Sequence, residues 1–280
     1  MKSNFLLSVL LIVSSFSIAQ TTIKLDSDVW QKFENEQLYV VLESDEDSEF
    51  NQAMKDAFAE NWTFNEVVFI DSTKYEDLKI SGNFFLFQNQ VPGKAGKKRF
   101  VLNQLELKTI NKKGKEILVG KIFQESIDSD YSGEINLVHL PLYIRSIHGL
   151  CLKGDEGAQR RSVKEKMKDV ARVQTKPLYI LDFHYNEQIA TLSDLKEHYE
   201  YEVHEITLDE LTEIIEKKED AYLFVFNKGV DKSAPVLRNE YGIAQLFSIK
   251  TGEMIYYQMA YTSKQLPKGL SKYLCRVWSK

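Results

Sequence analysis

The stretch from residue 128 to residue 135, DSDYSGEI, has the residue types and spacing of a calcium-binding loop. Such a loop places oxygen ligands at positions one, three and five, a Gly at six and an aliphatic residue at eight. The candidate ligands are Asp128, Asp130, Ser132 and Glu134. Position twelve is His139, where a calcium loop needs a bidentate Glu. This departure favours a solvated turn over a calcium site.

The chain has two cysteines, Cys151 and Cys275, which could form a disulfide or remain as thiols. An even number of cysteines in an exported chain is typical of disulfide pairing. Each of the two cysteines lies near the end of one of two similar segments of the chain, however, and equivalent positions in tandem domains are usually far apart. We therefore expect buried thiols that pack as small apolar side chains, with the Cys151–Cys275 disulfide as the alternative.

Three histidines, His184, His198 and His204, lie within about twenty residues of one another. Their spacing matches no common zinc pattern, so we expect surface or half-buried histidines and no metal. Asp182 and His184 follow a predicted strand at the place where α/β proteins usually bind ligands.

Motifs that would define an enzyme class are missing from the sequence. It contains no Gly-rich phosphate loop, no Gly-x-Ser-x-Gly elbow and no His-Glu-x-x-His pair. The formal net charge is −5, so the chain lacks the basic field that non-specific nucleic-acid binding uses. We expect neither a nucleic-acid partner nor a cofactor.

Residues 1–19 have the pattern of a secretory signal peptide. Lys2 supplies the positive charge, residues 5–13 are apolar, and a small-x-small site ends at Ala19. The apolar run is too short for a membrane-spanning helix, which needs roughly 20 residues. We expect an exported product, periplasmic or extracellular, without a transmembrane segment.

The remaining chain contains a repeat with an offset of 138 to 140 residues. The string LYVVL at 38–42 returns as LYILD at 178–182, and FLF at 85–87 returns as FVF at 224–226. The turn KGKEI at 113–117 returns as KTGEMI at 250–255. A repeated unit of this length predicts two similar domains.

Hydrophobic periodicity predicts the order β-α-β-α-β-β-β-α in each copy, with a mixed sheet. In the second copy the predicted elements are strands at 178–183, 201–206, 221–226, 241–249 and 254–261, and helices from Ser193, Thr207 and Pro267. The first copy has matching strands at 37–42, 66–70, 83–87, 100–110 and 117–124. The alternating start favours parallel pairing, and the Gly-containing turns favour an antiparallel hairpin. The fold class is therefore α/β (α+β).

The predicted domain boundaries follow from the repeat. Copy one spans 26–152 and copy two spans 176–280, with a helical linker at 153–175 that lies on a domain surface. The calcium-like stretch, 128–139, is expected to be an insertion that the second copy lacks.

The hairpin around Thr251, Gly252 and Glu253 resembles a D-x-x-T-G-E turn in small α/β domains of bacterial envelope proteins. The N-terminal domain of TolB and the curli-secretion CsgG-like group are the families that it resembles. Ser248 stands at the Asp position, and the first copy matches only at Gly114 and Glu116. The resemblance implies a periplasmic protein-interaction module without a catalytic centre.

A tandem thioredoxin-like fold is the alternative, since its order of elements is similar. The loops after the first strands, 43–47 and 184–187, contain no Cys, which excludes thiol redox activity of that kind. We expect an exported non-catalytic interaction or scaffolding module that binds an envelope protein or a glycan. The alternative is a hydrolase with its site between the two domains.

Overall fold

The structure is a computed structural model that describes residues 27–45, 47–95, 98–124, 132–157, 172–182, 189, 191–229, 241–260 and 275. Within them it forms helices and two five-stranded sheets that mix parallel and antiparallel strands. The predicted α/β class with two similar sheet-bearing units is therefore confirmed. No helix in these ranges is both long and apolar enough to cross a membrane. The predicted signal peptide lies outside the described residues.

The first copy begins with a helix that the sequence analysis missed. Its elements are α1 Ser27–Asn35, β1 Leu38–Leu42, α2 Glu49–Asn61, β2 Val67–Asp71, α3 Tyr75–Leu78, β3 Phe84–Ala95, β4 Lys98–Ile110, β5 Glu116–Gln124 and α4 Ser132–Gly157. Helix α1 is held by aromatic packing, because Phe33 is fully buried and stacks on Phe84 with ring centroids 3.9 Å apart.

The second copy follows a 3₁₀ turn at Arg172–Thr175. Its elements are β6 Leu178–Leu181, α5 Leu192–Lys196, β7 Val203–Ile206, α6 Leu208–Glu216, β8 Tyr222–Gly229, β9 Tyr241–Ser248 and β10 Met254–Ala260. The predicted Thr207 start of α6 is confirmed by a capping box with Glu210, whereas α5 is capped by Thr191 with Asp194 and not by Ser193. Of the helix predicted from Pro267, the structure describes Cys275, which is helical.

The two sheets have the same strand order and the same pairing. The orders are β2-β1-β3-β4-β5 and β7-β6-β8-β9-β10, with the first three strands parallel and the last three an antiparallel meander. A register irregularity skips Val119 in β5 and Ile255 at the equivalent point of β10. The hairpin glycines also match, since Gly114 and Gly252 have φ angles of 71° and 70°. The repeat seen in the sequence is therefore a repeat of backbone geometry.

Helix α4 lies between the two copies. Leu150 of α4 lies against Gly120 of the first sheet, and Tyr143 of α4 contacts Phe247 of the second sheet, with ring centroids 5.8 Å apart. One apolar cluster contains buried residues of α4 and of both sheets. The predicted insertion at 128–139 and the predicted helical linker at 153–175 both overlap this helix. Residues 132–139 form its first turns, and the predicted boundary at 152/153 falls inside it.

Apolar packing elsewhere differs between the sheets. A second cluster covers the far side of the second sheet, with Leu195, Tyr199 and Cys275 among its members. The side of the first sheet that faces away from α4, called here its outer face, has only a small cluster around Ile70, Phe85 and Ile110. Tyr75 of the one-turn helix α3 packs edge-on against Phe85 and Phe87 there.

Candidate functional site

The calcium-like stretch does not form a calcium loop in its described part. Asp128 and Asp130 lie outside the described residues, while Ser132 and Glu134 stand in the first turn of α4. His139, at position twelve, is fully buried in the same helix. A calcium loop needs non-helical backbone at its fifth to seventh positions. Helical backbone from Ser132 onward therefore replaces the turn that such a loop needs.

The predicted histidines do not converge. Among the described residues, no group of three or more His, Cys, Asp or Glu side chains could hold a metal ion. His198 is half-buried, His204 is exposed, and His184 lies outside the described residues. Asp182 is exposed at the end of β6. No metal centre is built from these side chains where the structure describes them.

The cysteines are thiols, not a disulfide, in the structure. Cys151 belongs to the cluster around α4, and Cys275 belongs to the cluster on the far side of the second sheet. The sheet thus separates them. Burial raises the pKa of both thiols, to about 12 for Cys275, so both stay protonated and inert at neutral pH.

His139 is an unusual buried group on α4. Within the described part of the chain neither of its ring nitrogens has a hydrogen-bond partner, and its ring packs 5.6 Å from that of Tyr143. Burial lowers the pKa of His139 to about 3, so its imidazole is neutral at physiological pH. Buried between two apolar layers, it is a packing residue with no route to a substrate in the described structure.

An open cleft of about 500 Å³ lies beside the second sheet. It is lined by Leu192, Lys196, Tyr199, Glu200, Tyr201, Glu202, Val203, His204 and Glu205. Helix α5 supplies one wall, and its start is rigid because Thr191 and Asp194 cap it reciprocally. Strand β7 supplies the other wall.

Strand β7 is an edge of the second sheet. Among the described strands it pairs only with β6, and the Leu178 amide donates to the Glu202 carbonyl over 3.1 Å. Successive residues of a strand aim their main-chain groups to opposite sides. Because Glu202 bonds to β6, Val203 and Glu205 aim their N–H and C=O groups away from the sheet. In the described part of the chain these outward groups are therefore open for pairing.

The cleft carries negative charge. Glu200, Glu202 and Glu205 line it, and among its described lining residues only Lys196 carries a permanent positive charge. The Glu202 side chain is 61% exposed and lies 2.8 Å from Nε2 of His204. Alternation places Glu202 and His204 on one face of the sheet and Val203 and Glu205 on the other. Carboxylates thus flank the edge on both faces.

A His–Glu pair can orient an imidazole for catalysis when a nucleophile lies next to it. The described lining of the cleft contains no Ser, Thr or Cys; its hydroxyls are the phenols of Tyr199 and Tyr201, and no described hydrogen bond joins either phenol to His204. The pair is also water-exposed, whereas catalytic pairs are usually shielded. The cleft has the chemistry of a binding surface.

The equivalent edge in the first copy is different. Strand β2 has the same pairing, and the Leu38 amide donates to the Glu66 carbonyl over 2.8 Å. By register, Val68 and Phe69 stand where the second copy has His204 and Glu205. The Glu66 carboxylate accepts a hydrogen bond from Gln37. The acidic edge is therefore a property of the second copy.

No known protein family, curated protein or solved structure matches the chain. The resemblance to the TolB and CsgG-like domains stays a prediction. No role was expected for the β7 edge, although the string EYEVHE at 200–205 places three glutamates in and just before this strand. An acidic run is typical of any solvated loop, so the sequence alone does not show that this run borders a sheet edge.

Proposed function

We propose that this chain is an exported, non-catalytic protein-interaction module of the cell envelope. The observation that carries the proposal is the open cleft beside an acidic sheet edge that no further described strand pairs with, on a scaffold of two docked α/β units. Export rests on the signal-peptide pattern at 1–19. A rigid sheet edge with open main-chain groups is a surface that other proteins can pair with.

The alternative function, a hydrolase with a site between the domains, needs convergent catalytic groups between the copies. In the described structure that space is filled by α4, whose Leu140, Ile144 and Ile147 side chains are buried there. Arg145 is a buried charged group at this contact, and both of its described hydrogen bonds go to main-chain carbonyls. This packing supports a scaffold, so the hydrolase is not proposed.

The proposal is tested with a photo-crosslinking amino acid at position 202, and at position 66 as the matched control. Both positions carry an exposed Glu at the same place on an edge strand. In cells that export the full chain, we expect a discrete protein adduct from position 202 that position 66 does not form. Excess chain without the crosslinker should compete the adduct away.

Two results would overturn the proposal. One is the absence of an adduct at position 202 when the exported, folded chain is present in the envelope fraction. The other is turnover by the purified chain in a hydrolase panel that the variant Glu202→Gln abolishes.

A further inference from the structure

We infer that the β7 edge binds an extended peptide segment rich in lysine or arginine, which adds to the second sheet as a sixth strand. This inference rests on the proposed function and names the chemistry of the partner. The main chain of Val203 and Glu205 supplies the pairing, and Glu200, Glu202 and Glu205 supply the charge.

Main-chain geometry gives the first argument. Val203 and Glu205 are the two β7 residues whose N–H and C=O groups face outward, so they offer two donors and two acceptors to an incoming strand. The strand itself is held by β6 through four register pairs, from Leu178↔Val203 to Leu181↔Ile206. An added strand would therefore meet a preformed ladder, which is the basis of strand-addition recognition.

Charge gives the second argument. Adjacent residues of an incoming strand point to opposite faces of the sheet. Glu202 lies on one face and Glu205 on the other, so neighbouring basic residues of the peptide each meet a carboxylate. The same charges disfavour pairing with a second copy of this acidic chain, since like-charged edges repel. The edge is selective for a basic strand.

The cleft gives the third argument, because it supplies room for side chains next to the ladder. Its wall includes the aromatic residues Tyr199 and Tyr201 and the apolar Leu192. The methylene stem of a lysine or arginine can lie against such residues while its charged end reaches a carboxylate. Neighbouring apolar residues of the peptide would pack on the same wall.

The test uses the full mature chain and four synthetic ten-residue peptides, measured by fluorescence anisotropy. One peptide carries pairs of adjacent lysines separated by pairs of valines, so that its lysines point to both faces of the sheet. A second replaces each lysine by glutamate, and a third is the lysine peptide N-methylated at two adjacent central residues. The fourth is the lysine–valine composition in scrambled order with two prolines. We expect binding of the first peptide alone, with a dissociation constant that rises with salt.

Two variants separate main-chain pairing from charge. Glu205→Gln removes one carboxylate, and Glu205→Pro removes the same carboxylate together with the outward N–H, which β6 does not use. We expect E205P to weaken binding about fivefold more than E205Q, the effect of one hydrogen bond. Phe69→Pro at the equivalent edge of the first copy should leave binding unchanged. Urea unfolding midpoints confirm that the variants are folded.

The inference is overturned if the N-methylated peptide binds as tightly as its parent, or if the glutamate peptide binds equally well. It is also overturned if the lysine peptide fails to compete with an adduct that does form at position 202. In that last case the proposed function stands and only the partner chemistry is wrong, whereas absence of the adduct removes the proposed function as well.

Discussion

The outer face of the first sheet and the equivalent face of the second sheet have the same strand order and pairing, but different groups pack against them. In the second copy this face carries Leu223, Val225 and Phe247, all buried beneath α4. In the first copy the same register positions carry Phe85, Phe87 and Lys108. The one-turn helix α3 contacts this face through Tyr75. The two copies thus have the same backbone arrangement but differ in what packs against this face.

The polar groups of the outer face form a connected network. Nζ of Lys108 lies 2.9 Å from a Glu106 oxygen and 3.1 Å from a Glu116 oxygen, and the Tyr75 hydroxyl donates to Glu116 over 2.8 Å. The residue equivalent to Lys108 is Phe247, and the one equivalent to Glu106 is Gln245. A repeat array needs a polar outer face on its terminal unit to stay soluble. The first copy has the character of such a terminal unit.

The two copies also differ in which group donates a hydrogen bond to one equivalent main-chain carbonyl. The Arg145 guanidinium of α4 donates to two main-chain carbonyls of the second copy. One belongs to Ile215, near the end of α6, at 2.7 Å, and the other belongs to Ile249, which directly follows β9. In the first copy, Ile110 stands at the position of Ile249, and its carbonyl accepts from the Gly82 amide over 2.7 Å. The first copy satisfies this carbonyl internally, while the second uses it to bind α4.

The largest expected effect is a loss of unfolding free energy on substitution of Gly252, one of the two hairpin glycines. A Cβ on Gly252 would lie 2.6 Å from the Ser146 nitrogen of α4, whereas a Cβ on Gly114 would meet nothing within 4 Å. Both have positive φ, so each Ala substitution costs about 1 kcal/mol for backbone strain. Gly252→Ala adds a clash with helix backbone, and we expect a total loss above about 3 kcal/mol. Urea unfolding of G252A and G114A measures the pair. Equal losses would mean that α4 does not press on the second hairpin.

The second prediction concerns Arg145. Burial lowers the pKa of its guanidinium to about 10, yet it remains charged at neutral pH. Arg145→Ala removes the guanidinium donor from the carbonyls of Ile249 and Ile215, of which Ile215 keeps the Lys218 amide as a donor. We therefore expect a loss of about 2 kcal/mol in unfolding free energy. Lys153→Ala is the control on the same helix, because the Lys153–Glu253 pair is partly exposed and should contribute about 0.5 kcal/mol. Similar values for the two variants would argue against Arg145 as the main polar link between the copies.

The smallest expected effect is a pH-dependent loss of stability on substitution of Glu116, which lies on the outer face of the first sheet. Burial opposes its charge, but hydrogen bonds from Tyr75, Lys108 and Lys79 outweigh burial and lower its pKa to about 2. Its contribution is present above the ordinary Glu pKa and is lost as the pH falls toward 2. Because the side chain is 35% exposed, we expect Glu116→Gln to cost about 1 kcal/mol at pH 7 and nothing near pH 2.

Glu76→Gln is the control for that measurement, since Glu76 is 74% exposed and lies 3.8 Å from Lys79. It should change the unfolding midpoint by an amount within experimental error at any pH. A pH-independent loss in E116Q would show that the carboxylate acts through packing alone, and the contrast between the two faces would then rest on apolar packing.

Much of the fold could be predicted from local patterns. Alternation located all ten strands of the described residues to within a few residues at most ends. Strand β3 is longer than expected because its far half, around Val91 and Pro92, lacks a clear pattern. Helix α1 was missed because it spans only nine residues, fewer than the window over which hydrophobic periodicity is read, although Val29, Trp30 and Phe33 have helical spacing. The calcium-like spacing and the three histidines suggested sites that the described residues do not assemble, since spacing along a chain does not make side chains converge.

The sequence by itself determined the duplication, the order of strands and helices, and the two hairpin turns. These depend on periodicities of two and 3.6 residues and on Gly conformations, which act over a few neighbours. Only the tertiary structure decided that α4 joins the two copies, that one of two equivalent faces is covered, and that the acidic run at 200–205 borders an open edge. Those outcomes depend on contacts between residues about 70 to 100 positions apart, such as Arg145 with Ile215 and Ile249, and no local pattern encodes them.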